Sequence, residues 1–159
     1  MPRPRYLLPS PAIYHVTTRG VDRMRIAHDD FDYAYVHRGI VSACFRFGWI
    51  YLAHCVMPNH FHIVVETSVR RLSAGMQWLN FRVARRFNEK YDRVGHFVER
   101  RFAARVIERD EYFENAVTYV WINAVRAGIV EDPKGWPWCG SAYASTPLRA
   151  GDDGRAVDI

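Results

Sequence analysis

Two histidines lie two residues apart near the middle of the chain, in the segment MPNHFHIVVE at positions 57–66. After the Pro-Asn turn signal, polar and apolar residues alternate, which is typical of a half-buried strand. Residues i and i+2 of a strand point to the same face, so His60, His62 and Glu66 share one face. Two imidazoles on a stiff strand can bind one divalent cation. The pair alone leaves two possibilities open, a metal site or two partly exposed histidines on a sheet.

A second group with chemical potential lies on a predicted helix that ends near Ala127. Tyr119 and Asn123 are four residues apart, so they are neighbours on one helix face, together with Asn115 and Arg126. A phenol can act as a nucleophile toward phosphorus, and an asparagine oxygen is an acceptable ligand for a hard divalent ion. The spacing alone favours a more ordinary interpretation, a tyrosine on the flank of a helix.

The distribution of charge points to a polyanionic partner. The net charge is +5 and the pI about 9.3, and residues 70–109 hold eleven basic side chains against four acidic ones. Most of the basic residues are arginines, which suit bidentate contacts to phosphate. Aromatic residues are interleaved with them, although we expect most to face the core. These features favour a nucleic-acid partner over the alternative, an ordinary solvated basic face.

Composition limits the remaining possibilities. The chain has 159 residues, of which 49% are hydrophobic, and this suits one domain with a real core. No apolar stretch is long enough to span a membrane, and we expect no signal peptide because the basic N-terminus lacks an apolar region behind it. Cys44, Cys55 and Cys139 are widely spaced without a CxxC pair. We therefore expect structural thiols in a reduced, cytoplasmic setting.

The predicted elements alternate in an order that defines a fold class. Strands are predicted at about 13–18, 49–56, 60–66 and 103–107, and helices at about 30–47, 69–91 and 110–127. This order is the split βαβ, ferredoxin-like pattern with an additional C-terminal helix. It predicts an α+β domain, with an antiparallel sheet and helices packed on one face. We expect one domain over 1–159, with a core at about 12–144, an extended basic arm at 1–11 and a flexible tail at 146–159.

Four ordered motifs carry a family resemblance that covers about residues 12–144. They are YHVTTRG at 14–20, MPNHFH at 57–62, GHFVERRF at 95–102 and YVWINAVRAG at 119–128. Together they resemble the single-tyrosine HUH transposases and, within that family, the REP-associated tyrosine transposases. The resemblance implies that His60 and His62 are metal ligands, that Tyr119 is the nucleophile and that Asn123 is the third ligand.

The resemblance also implies an activity. With Mg²⁺ or Mn²⁺, such an enzyme nicks and rejoins single-stranded DNA at hairpin-forming, REP-like palindromes through a 5′-phosphotyrosine intermediate. We expect a monomer rather than a dimer, in the cytoplasm and associated with the nucleoid. One alternative is a transposase-derived protein that binds structured single-stranded DNA without cutting it. Another is a ferredoxin-like RNA-binding domain, which is disfavoured because it needs aromatics where the histidines lie.

Several further residues are assigned by their position in the sequence. The side chains expected to contact DNA are Arg3, Arg5, Arg19, Arg71, Arg82, Arg85, Arg86, Arg100 and Arg101. His15, on the neighbouring predicted strand, is expected to be structural rather than a partner of the metal ligands. Glu66 is a weaker candidate for contact with metal or nucleic acid. His54 and Cys55 are expected to pack within the sheet.

Overall fold

The structure, a computed structural model, describes residues 11–108 and 111–143. The predicted arm with Arg3 and Arg5, the predicted start of the third helix at residue 110 and the predicted tail lie outside the described residues. The strands are β1 (Ala12–Arg19), β2 (Ile50–Val56), β3 (His60–Thr67), β4 (Ala103–Ile107) and β5 (Cys139–Ser141). The longer helices are α1 (Asp30–Phe47), α2 (Val69–Lys90) and α3 (Glu111–Trp121), and a short α4 (Asn123–Arg126) follows α3.

The strands form one antiparallel sheet in the order β4-β1-β3-β2-β5. The first four strands have the arrangement that the ferredoxin-like pattern predicts, so the predicted fold class is confirmed. The β2–β3 hairpin closes at the predicted turn, where the Met57 amide donates to the His60 carbonyl at 2.8 Å. Strand β5 was not predicted. It extends the β2 edge where the Trp136 indole donates to the Val56 carbonyl at 2.9 Å.

One face of the sheet, here called the helical face, is covered by α1 and α2. Phe61, Ile63 and Val65 of β3 project into this layer, as the alternation predicts. Asp29 caps the start of α1, where its side chain accepts from the Asp32 amide, and Ser68 caps α2 in the same way by accepting from the Arg71 amide. The buried residues from the two helices include Val36, Ile40, Leu72, Met76, Leu79 and Val83. This layer is the main core.

The opposite face, here called the site face, is covered by α3 and α4. Val117, Val120 and Ala124 pack there against Ile13 and Val64. The additional helix therefore lies over the histidines' side of the sheet. Its predicted continuity to residue 127 is wrong. The backbone at Ile122 has φ −89° and ψ 9°, well away from helical ψ, so the helical hydrogen bonding is interrupted and restarts at Asn123.

The predicted positions of His54 and Cys55 can be compared with the structure. His54 and Cys55 are buried within the sheet, as predicted, and His54 bonds on both sides of its ring to His37 and Tyr51. Across the residues that the structure describes, no helix is long and apolar enough to cross a membrane.

Gly75 lies in α2 at a close contact with Trp49. A Cβ atom at position 75 would lie 2.2 Å from Cζ2 of Trp49. The indole cannot easily move because its Nε1 donates to the Arg71 carbonyl at 3.2 Å. We therefore expect Gly75→Ala to lower the free energy of unfolding by about 1–3 kcal/mol, even though alanine is the better helix former. Urea denaturation followed by tryptophan fluorescence measures this change.

Gly39→Ala in α1 is the matched control for this prediction. Its added Cβ would meet Cδ1 of Leu79 at 2.8 Å, and that atom is the end of a flexible side chain. The control is therefore expected to unfold close to the wild-type urea concentration. Equal stability of Gly75→Ala and wild type would contradict the packing of Trp49 against α2.

Candidate active site

His60 begins β3 and is held by the residue before it. Its Nδ1 lies 2.6 Å from Oδ1 of Asn59, and the Asn59 amide nitrogen donates to the Arg23 carbonyl at 3.4 Å. Because the side-chain nitrogen of Asn59 donates to Arg23, the atom that faces His60 is the side-chain oxygen, which can only accept. Nδ1 of His60 must therefore carry the hydrogen and donate it. The Nε2 lone pair of His60 is left for another partner, as in a metal-binding histidine.

His62 is buried on the same face and is held from β1. Its Nδ1 lies 2.9 Å from Nε2 of His15 and 3.0 Å from Oγ1 of Thr17. The rings of His60 and His62 are 4.8 Å apart between centroids and nearly perpendicular, at 87°. Because Nδ1 is occupied, Nε2 is the nitrogen that His62 offers to a ligand. His15 thus contacts His62 directly, as the less favoured of the two roles considered from the sequence, a partner of a metal ligand, would require.

All three histidines are held in their neutral form. Burial, reinforced by Arg19, lowers the pKa of His60 to about 4. Burial, reinforced by Arg105, lowers the pKa of His15 to about 4. Burial and the neighbouring histidines keep the pKa of His62 well below its ordinary value. Neutral imidazole is the form that coordinates a metal, so the site is prepared for coordination at neutral pH.

Helix α3 brings Tyr119 to the two histidines. Its ring centroid lies 6.3 Å from that of His62, edge to face at 84°, and 6.4 Å from that of His15. Tyr119 is partly exposed, so its phenol can meet a bound substrate. Asn123 begins α4 about one helical turn further along and is 8% exposed. The structure therefore brings the predicted nucleophile beside His62 of the predicted ligand pair, and places Asn123 at the start of α4, which covers the site face.

Three arginines surround this group. Arg19 is the cross-strand partner of His60, and Arg105 is the cross-strand partner of His15 on β4. The guanidinium carbon of Arg126 lies 4.7 Å from the ring centroid of Tyr119. Neither Arg105 nor Arg126 was predicted to contact DNA. Their signals were present in the sequence, because Arg105 is the one charged residue of β4 and Arg126 lies about two helical turns after Tyr119.

The other predicted DNA-contacting arginines lie elsewhere. Arg71, Arg82, Arg85 and Arg86 are exposed on α2, which packs on the helical face. Arg100 and Arg101 are exposed in the loop before β4, and this loop is tied to β1 by the bond from the Glu99 amide to the Arg19 carbonyl, 3.0 Å. The predicted set is therefore divided between two sides of the sheet. Their contact with DNA stays a prediction.

Glu66 stands at the far end of β3 from His60. It is opposite Ile13 of β1 and Ile50 of β2. Among the described residues, no group of three or more His, Cys, Asp or Glu side chains could hold a metal ion. A site built on His60 and His62 must therefore take another kind of ligand, and the amide oxygen of Asn123 is the predicted one. Two neutral imidazoles and an amide oxygen fit a divalent cation that keeps positions open for water and phosphate.

A ferredoxin-like antiparallel sheet, with a His-x-His pair under a tyrosine-bearing helix, defines the single-tyrosine HUH class of transposases. The comparisons with known proteins agree. The family model described as "Transposase IS200 like" matches residues 10–123, which is more than half of the chain. The chain therefore belongs to the IS200-like transposase family, and the resemblance seen in the sequence is confirmed.

Two individual proteins illustrate the similarity. Over 109 residues the chain is 27% identical to a Haemophilus influenzae protein assigned to the REP-associated tyrosine transposases. This match covers 61% of each protein, so the chain spans about three fifths of that relative's length. A solved structure of a REP-associated tyrosine transposase bound to a REP hairpin has a TM-score of 0.60 at 17% identity, covering 81% of this chain and 76% of the other. At that identity the likeness is one of fold.

Proposed function

We propose that this protein is a metal-dependent enzyme that nicks and rejoins single-stranded DNA through a covalent 5′-phosphotyrosine intermediate. The observation that carries the proposal is the placement of Tyr119 beside His62, with 6.3 Å between ring centroids, on a face that also presents His60. The family to which the chain belongs supports the same chemistry. A tyrosine near two neutral histidines is a suitable arrangement for phosphoryl transfer. The packing of α3 on the sheet does not by itself require this arrangement.

In the proposed reaction, the phenolic oxygen of Tyr119 attacks the phosphorus of a DNA phosphodiester. A new bond forms between that oxygen and phosphorus, and the bond from phosphorus to the 3′-oxygen of the preceding nucleotide breaks. The phenolic proton is lost to solvent, and the departing 3′-oxygen takes up a proton to become a hydroxyl. Attack by a second 3′-hydroxyl reverses the step and joins two strands. The energy of the broken bond is kept in the phosphotyrosine, so no external energy source is needed.

The chain's own residues would prepare this step in two ways. His60, His62 and Asn123 would hold Mg²⁺ or Mn²⁺, which when bound supplies charge to polarise the scissile phosphate. Arg19, Arg105 and Arg126 would hold the phosphates on either side, because guanidinium groups suit the geometry of phosphate oxygens. In this proposal Tyr119 meets the site of its own chain, which is consistent with a monomeric enzyme.

We infer that the substrate is DNA that forms a hairpin with a single-stranded flank. The relative of known structure is bound to a REP hairpin, and the Haemophilus influenzae relative is assigned to the same group. Tyr119 is partly exposed and has arginines nearby, which suits a flexible single strand whose phosphate can approach the phenol. A hairpin stem next to that strand would define where the cut falls.

The test is the formation of a covalent protein–DNA adduct. The full chain is incubated with Mn²⁺ and labelled oligonucleotides that carry palindromic hairpins from the genome that encodes it. Denaturing gel electrophoresis then shows whether label migrates with the protein, and EDTA serves as the metal-free control. We expect an adduct with at least one hairpin and none in EDTA. If no hairpin in the panel gives an adduct, the enzyme proposal fails, and binding without cleavage becomes the better account.

His15 provides a prediction that concerns metal binding alone. Because its Nε2 contacts Nδ1 of His62 at 2.9 Å, it fixes the ring orientation of that ligand. Loss of such a partner commonly weakens metal affinity about 10- to 100-fold. We expect His15→Ala to weaken Mn²⁺ binding by this factor in isothermal titration calorimetry.

His37→Ala is the control for the His15 variant. His37 contacts the buried ring of His54 at 2.8 Å from α1, on the helical face. The His37→Ala variant therefore removes a histidine–histidine contact without touching the candidate active site. Circular dichroism must show that both variants are folded. Wild-type Mn²⁺ affinity in His15→Ala would contradict a positioning role for His15.

A further inference from the structure

The outer surface of α1 and α2 carries an open cleft of about 400 Å³. We call it the α2 cleft, and its lining residues are Tyr35, Trp78, Phe81, Arg82, Arg85, Arg86 and Glu89. Because α1 and α2 pack on the helical face, the sheet separates this cleft from the histidines and Tyr119. The cleft therefore cannot be part of the candidate active site.

Aromatic rings and guanidinium groups are layered in the α2 cleft. The guanidinium carbon of Arg82 lies 4.8 Å from the ring centroid of Trp78 and 6.0 Å from that of Tyr35. Arg86 lies 5.9 Å from the Tyr35 ring, and Arg46 lies 5.6 Å from the Trp78 ring. These cation–π contacts hold flat groups in place at the surface. Both kinds of flat group can stack on a nucleobase.

Phe81 adds an aromatic ring that folding does not account for. It is 64% exposed although it lies three residues after Trp78 and thus next to it on the helix. An exposed phenylalanine inside a basic cleft, rather than alone on the surface, indicates an apolar group on the partner. The faces of unpaired bases are apolar groups of the right shape. In a double helix those faces are stacked on one another and unreachable.

The charge of the α2 cleft indicates that the partner is also an anion. Glu89 is its acidic lining residue, and Arg85 pairs with it at 2.8 Å. Arg82 and Arg86 then leave the cleft positively charged, and Arg46 adjoins it through Trp78. A partner with flat apolar groups and regularly spaced negative charges is a single-stranded nucleic acid. An acidic peptide would match the charge but not the need for flat groups.

We propose that the α2 cleft binds unpaired nucleotides of a DNA strand, with bases stacked on Trp78 and Phe81 and phosphates held by Arg82 and Arg86. This is a second DNA site, on the side of the sheet away from Tyr119. The proposal rests on the proposed function only in taking DNA as the partner. It requires no metal and no cleavage, so it can be tested with both suppressed.

The experiment measures binding of a short fluorescein-labelled thymidine oligonucleotide by anisotropy in EDTA. We expect Phe81→Ala to weaken binding about 5- to 150-fold, which is the range for loss of one stacked base. Arg82→Gln should weaken binding and lower the slope of log affinity against log salt by about 1. Phe45→Ala is the matched control, because Phe45 is 92% exposed on α1 outside the cleft, and its loss should leave affinity unchanged.

Two further arms decide what the cleft recognises. A blunt duplex of the same length should lose little affinity in Phe81→Ala, and an equal loss for duplex and single strand would overturn stacking. An oligonucleotide with iododeoxyuridine should photocrosslink to Trp78 or Phe81, and crosslinks confined to the site face would overturn the second site. Unchanged single-strand affinity in Phe81→Ala would also overturn it. The adduct assay is run separately, so a wild type that forms no adduct but loses affinity in Phe81→Ala refutes the enzyme and supports the cleft.

Discussion

Tyr119→Phe is expected to abolish the covalent protein–DNA adduct while leaving DNA binding close to that of the wild type. The change removes one oxygen, the atom that would form the bond to phosphorus. It leaves the ring that lies edge to face with His62 at 6.3 Å. Removal of the nucleophile in an enzyme of this general kind costs on the order of 10⁴-fold or more in rate, which places the adduct below detection.

Tyr112→Phe is the matched control because it makes the same change on the same helix. Tyr112 is 71% exposed and lies seven residues, about two turns, before Tyr119. It should retain full adduct formation. If Tyr112→Phe loses the adduct and Tyr119→Phe keeps it, the nucleophile has been misassigned along α3. If both keep it, the attacking group lies elsewhere in the chain. Anisotropy with the same hairpin in EDTA confirms that each variant still binds DNA.

Much of the fold was predictable because it depends on local patterns. Alternation in residues 60–66 identifies which side chains of β3 face α1 and α2, and the structure agrees at Phe61, Ile63 and Val65. Asp29 and Ser68 cap the starts of α1 and α2, and Gly48 ends α1 with a left-handed backbone, so both helices lie close to their predicted bounds. Strand β4 has the predicted bounds, 103–107. These signals lie within a few residues of the element that they define.

The parts that escaped prediction depend on contacts between distant residues. The His15–His62 bond joins residues 47 positions apart and follows from the register of β1 on β3, which no local pattern reveals. The interruption at Ile122 and the short strand β5 likewise depend on how the end of the chain packs on the sheet. Arg82, Arg85 and Arg86 were identified as exposed and basic, but their side of the sheet depends on where α2 docks.

These nonlocal contacts are also what turns the histidine pair from a motif into a site. Spacing alone placed His60 and His62 on one face and left their purpose open. The structure adds a partner for Nδ1 of each ring, neutral protonation through burial, and a tyrosine above them. Each addition favours metal coordination through Nε2. A pair of ordinary surface histidines would need none of the three.

The second large effect is expected when a predicted metal ligand is replaced. His60→Ala is expected to remove measurable Mn²⁺ binding in isothermal titration calorimetry and to lower the rate of adduct formation by at least about 10³-fold. The reason is that one strand-borne imidazole and one amide oxygen are too few protein ligands to hold a divalent ion against water. His60 is preferred to His62 for this test, because His62 is more deeply buried and also bonds to His15 and Thr17.

His96→Ala is the control. His96 is exposed in the loop before β4, so this variant removes a histidine without touching the site.

Asn123→Ala in the same titration distinguishes two possible ligand sets for the metal. A loss of affinity comparable to that of His15→Ala supports Asn123 as the third ligand. Wild-type affinity would mean that water and a DNA phosphate complete the coordination of the two histidines. If His60→Ala itself binds Mn²⁺ and forms adduct as the wild type does, then the histidine pair holds no catalytic metal. Tyr119 would in that case have to act with the arginines alone, and adduct formation would persist in EDTA.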